Sequence, residues 1–184
     1  MPLNLSTLSI LLGLGMALPN IYGVANPKGF AASVRKFSRS TLWGYALILV
    51  ATVWFIGNVK REPIADFEPL KPALFALFTA VGIGTCVFVK DFIAVRGAAV
   101  VMLLLAKLMV DVARWSPSEW RLVIVIWAYA WVAAGMWFTV SPWRLRDLLQ
   151  WFTATEQRVR VGSAVRAAFG IFVVLLGMTA FRAS

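Results

Sequence analysis

Six runs of about twenty predominantly apolar residues recur along this chain, at 5–22, 41–59, 72–89, 94–114, 121–140 and 161–181. The hydrocarbon core of a bilayer is ~30 Å thick and takes ~20 such residues per helix. In lipid every backbone N–H and C=O must find its partner inside the segment, so each run predicts a transmembrane helix. The intervals between them leave no room for a soluble domain. Composition agrees: 61% of the residues are hydrophobic and 14% charged, where soluble domains carry about 25% charged residues. The expected fold is an all-α integral membrane protein forming one membrane domain over 1–184. It has six transmembrane helices plus two amphipathic interfacial helices on the cytoplasmic side. The first run is followed by Gly23-Val24-Ala25, which offers small residues at the two positions a signal peptidase prefers. No basic segment precedes it, so it reads as an uncleaved span.

Several chemistries are excluded by what the sequence lacks. There is no histidine and a single cysteine, Cys86. Zinc sites draw on Cys and His, and haem with a proximal His or a Ser-His-Asp triad needs the imidazole. No metal, no cofactor and no catalytic residues are therefore expected, and the chain reads as a non-enzyme.

The net charge of +10 would suggest nucleic acid for a soluble protein. In a membrane protein Lys and Arg set orientation instead, so nucleic acid is not an expected partner. Lys28, Arg35, Lys36, Arg39, Lys90, Arg96, Arg144, Arg146, Arg158, Arg160 and Arg166 fall in or beside the first, third and fifth loops. The other side holds Lys60, Arg61, Lys71, Arg114, Arg121 and Arg182. Eleven against six predicts the odd loops in the cytoplasm and both termini outside.

Two of those loops are more than turns. The first starts Asn26-Pro27 and carries Phe30, Val34 and Phe37; the fifth starts Ser141-Pro142 and carries Leu145, Leu148, Leu149 and Phe152. A capping residue followed by Pro at the first helical position starts a helix. Apolar residues three and four apart with cationic flanks describe a helix lying in the membrane interface, here at 27–38 and 142–153. Arg35, Lys36, Arg39, Arg144, Arg146, Arg158 and Arg160 are candidate contacts for anionic lipid head groups. Pro27 aligns with Pro142 and Phe37 with Phe152 without a gap, which raises an internal duplication as one reading and convergence of basic interfacial loops as the other. The second loop, 57–72, holds Pro63, Pro69 and Pro72 with Glu62, Asp66 and Glu68. Its proline density predicts an extended, stiff connector.

The stretch 123–181 carries Gly135-Met136, Ser141-Pro142-Trp143-Arg144, Leu148-Leu149, Arg160, Gly170 and Gly177. On these residues, about a third of the chain, it resembles a family of very small two-span bacterial inner-membrane proteins without a characterised activity. The resemblance implies a bacterial inner membrane and carries no activity with it.

Helices in lipid associate through close backbone approach, because lipid is as apolar as leucine. Small residues at helical spacing supply it at Gly13 and Ala17, at Ala76, Ala80 and Gly84, and at Gly170 and Gly177. Pro19 is the position that would break the first span. The fifth span carries Trp120, Trp127 and Trp131 within about 40° of one another. That face suits either packing or a hydrophobic ligand or partner.

Lys107, Asp111 and Arg114 stand out, sharing one face of the fourth span within about 60°. Ionisable residues inside a span are costly and mark a functional site by default. Lys107 lies ~10 Å along the axis from Arg114, off the midplane. Two cations against one carboxylate suit a fixed structural ion pair or an ion or anion site better than an exchanging proton carrier. Two functions follow as alternatives. One is a non-catalytic scaffold, assembly factor or accessory subunit, whose partners are membrane lipids and other membrane proteins or itself. The other is a small transporter or channel using the ionisable site on the fourth span. A polar cavity reaching Asp111 would favour transport, and an exposed small-residue or Trp face would favour a partner.

Overall fold

A computed structural model describes residues 4–61, 65–89 and 91–182, with backbone alone at 65–67. Among the described residues the chain is entirely helical. The α-helices are α1 (Leu5–Ala25), α2 (Pro27–Phe37), α3 (Thr41–Arg61), α4 (Lys71–Phe88), α5 (Ile93–Ala113), α6 (Arg121–Val140), α7 (Pro142–Phe152) and α8 (Glu156–Met178). Six of them (α1, α3, α4, α5, α6 and α8) are long and apolar enough to cross a membrane. By fold this is an integral membrane protein.

Several ends have a visible cause. Asn4 caps α1 by accepting from the Thr7 amide at 2.8 Å. α1 runs unbroken through Pro19, and the next side chain, Asn20, donates to the Met16 carbonyl at 2.8 Å. α8 begins at Glu156, before the apolar run, because Thr155 caps it by accepting from the Arg158 amide. Arg158 and Arg160 are thus helical rather than in a loop. In the second loop Ala65–Leu70 forms a 3₁₀ turn rather than an extended strap, with Lys71 paired to Glu68 at 2.5 Å. Glu62, Pro63 and Lys90 lie outside the described residues.

The junctions into α2 and α7 are alike. Asn26 ends α1 and starts α2 with φ −133° and ψ 76°; Ser141 ends α6 and starts α7 with φ −128° and ψ 73°. The residue before a proline is pushed out of the α region, so the chain turns at both places and resumes as a helix of eleven residues. Their capping differs. Asn26 Oδ1 accepts from the Gly29 amide at 3.0 Å, whereas the Ser141 side chain makes no such bond.

α5 is central, packing on α3 on one side and α6 on the other; α4 is attached through α3. The α1–α8 pair, the most extensive helix contact among the described residues, docks on α5 and α6. Leu8, Met109, Ile124, Trp127, Val173 and Leu176 form the heart of that core. Glycine sets how close α1 and α8 come. A Cβ at Gly13 would lie 2.6 Å from the Gly170 carbonyl oxygen, and one at Gly170 would lie 2.8 Å from the Ala17 amide nitrogen. Ser6 Oγ then donates to the Gly177 carbonyl across the pair at 2.6 Å.

The small-residue row expected to pack α4 does not do so. Ala76 and Ala80 are exposed, and a Cβ at Gly84 would approach only its own helix's Phe88, at 3.9 Å. α4 instead meets α3 through Gly82, which lies under Thr52. The face carrying Ala76, Ala80 and Gly84 is turned away from the bundle because α3 already occupies the other side.

Candidate functional site: the ionic face of α5 and the basic end

On α5, Ala106, Met109 and Ala113 are fully buried and point into the bundle. Lys107 and Asp111 lie on the opposite face, about half exposed, with Lys107 Nζ and Asp111 Oδ2 2.6 Å apart. Among the described residues Arg114 stays outside that pair. It caps α5, and its carbonyl accepts from Arg121. The fourth-span set is therefore an outward-facing ion pair with a neighbouring cation.

The three tryptophans divide. Trp127 is buried, with ring centroids 5.3 Å from Trp131 and 5.2 Å from Phe169 of α8. Trp120 is largely exposed and touches Phe172 edge-on at 6.4 Å. These contacts make the stripe a seam between α6 and α8.

The basic residues gather where α2, α7 and the first turns of α5 and α8 meet. Lys28 pairs with Glu156 at 3.4 Å. Arg35 of α2 reaches across to the end of α7, its Nε donating to Thr153 Oγ1 at 2.9 Å and Nη2 to the Thr153 carbonyl. The Thr153 hydroxyl donates in turn to the Leu149 carbonyl at 2.8 Å. Arg158 lies 5.0 Å over the Trp151 ring, and Arg166 lies 4.2 Å over that of Phe152. Arg146 lies 5.5 Å over Phe92, whose φ of 54° is unusual for an aromatic residue. Of the seven head-group candidates, Arg35, Lys36, Arg39 and Arg146 surround one cleft between α2 and α7. Arg144 and Arg160 are exposed outside it. Sequence reasoning missed Thr153 and Phe92, since neither is charged and each acts only through a residue distant in the chain.

The Arg35–Thr153 bridge predicts coupling. Thr153→Val keeps the shape and removes the hydroxyl, while Arg35→Gln removes the cation. A double-mutant cycle read by thermal unfolding in detergent is expected to give about 1 kcal/mol of interaction. Strict additivity would mean that the Thr153 hydroxyl adds nothing to the bridge, leaving the bond to its backbone carbonyl to hold α2 to α7.

Comparisons with models of protein families, with curated proteins and with solved structures each find no match to this chain.

Proposed function

We propose that this protein is a non-catalytic membrane component, a scaffold, assembly factor or accessory subunit, that docks another membrane protein or a second copy of itself. The carrying observation is α4. Only 6% of its apolar window is buried, and Ala76, Ala80 and Gly84 line the side turned away from α3. Small residues four apart let a second helix backbone approach closely, the chief source of helix association in lipid. The outward Lys107–Asp111 pair adds to this, because a charged pair facing hydrocarbon is costly and a covering helix relieves that cost. In this reading the membrane is a bacterial inner membrane. The basic end faces the cytoplasm, α2 and α7 lie in that interface, and both termini are outside.

Gentle extraction followed by mass measurement tests it. The wild type is expected in a stoichiometric complex, and Ala80→Phe is expected to release it without lowering its thermal stability, since Ala80 is exposed on the side turned away from α3. A wild-type chain that emerges as a lone monomer overturns the reading.

A further inference from the structure

We propose that the cleft between α2 and α7 is a binding site for a phosphate-bearing anion, held by Arg35, Lys36, Arg39 and Arg146. The cleft has a volume of about 360 Å³, and Leu149 supplies an apolar wall. Four cations line it; of these Arg146 is held by the adjacent Asp147 through Nε at 3.0 Å and Nη2 at 2.8 Å. Among the described residues Lys36 and Arg39 have no ion-pair partner, so their positive charge is left uncompensated. Arg35 spends two of its five N–H donors on Thr153. That fixes the guanidinium before a ligand arrives and lowers the ordering cost of binding. Guanidinium groups match phosphate oxygens in charge and geometry. The cleft sits at the end of the spans because both proline junctions turn the chain there, the depth at which lipid head groups lie. An anionic phospholipid head group and free phosphate share this chemistry. The proposal goes beyond the partner reading and needs no occupant on α4, so either can fail alone.

Native mass spectrometry of the full chain in detergent, offered equal amounts of phosphatidylglycerol and phosphatidylcholine, tests it together with titration of inorganic phosphate. The wild type is expected to retain phosphatidylglycerol preferentially. Lys36→Gln/Arg39→Gln leaves the Thr153 bridge intact and is expected to weaken that retention roughly tenfold or more. Arg144→Gln/Arg160→Gln removes the same charge outside the cleft and is expected to leave it unchanged. Competition by inorganic phosphate with the same sensitivity to the variants assigns the site to the phosphate group alone. Retention of lipid without competition assigns it to the lipid head group. Equal loss in both double variants reduces the effect to diffuse charge and overturns the proposal, as does a wild type that neither prefers phosphatidylglycerol nor binds phosphate.

Discussion

Replacing Gly170 with leucine is expected to separate α1 from α8 and collapse the bundle. What a Cβ meets there is backbone on the facing helix: the Ala17 nitrogen and the Gly13 oxygen at 2.8 Å each, and the Ala17 Cα at 3.1 Å. Backbone cannot turn aside as a side chain can. Even Gly170→Ala must push the helices apart, at a cost of about 1–3 kcal/mol for overpacking. Leucine goes well beyond that and also displaces the Ser6–Gly177 bond further along the same seam. Lipid offers the parted helices an apolar surround, so close approach and that bond are what is lost, with little hydrophobic return to offset it. Gly15 is the matched control, because a Cβ there meets nothing within 4 Å. Unfolding midpoints in increasing denaturing detergent, or a cysteine cross-link between α1 and α8, would measure both. A Gly170→Leu chain with the midpoint of Gly15→Leu would show that close approach does not hold this pair.

The second large effect is expected at Trp127. Truncation to alanine removes a ring that is 8% exposed and touches Trp131 and Phe169 edge-on. The unfolded reference also lies in lipid, so the transfer contribution shrinks. The unfilled cavity and lost dispersion contacts remain, at about 3 kcal/mol, the low end for a buried Trp. Trp120, 53% exposed with its ring 6.4 Å from that of Phe172, is expected to cost under about 1 kcal/mol. Equal destabilisation of the two variants would contradict Trp127 as the seam between α6 and α8.

The spans were readable because apolar length is a one-dimensional property that the bilayer selects directly. The start of α8 was not, since Glu156, Gln157, Arg158 and Arg160 are polar and become helical through the Thr155 cap. Gly13 with Ala17 and Ala76 with Ala80 look alike as sequence, yet one row is packed against a neighbouring helix and the other faces outward. Spacing says which residues share a face and not whether another helix is there. The candidate site divides in the same way. Seven cations were legible as a set. The four around the cleft were not, because Arg35 and Thr153 are 118 positions apart and only packing brings them together.

The pairing of α1 with α8 has a consequence for biosynthesis. The first-made helix of the eight finds its main partner in the last-made one. At ~5–20 residues per second, α1 waits on the order of ten seconds or longer in the bilayer with its glycine groove filled only by acyl chains. During that wait a foreign helix with small residues at the right spacing could take the groove, and α8 would then have to compete for it. Folding fidelity in this protein is therefore expected to fall as the membrane becomes more crowded while the ribosome is still at work.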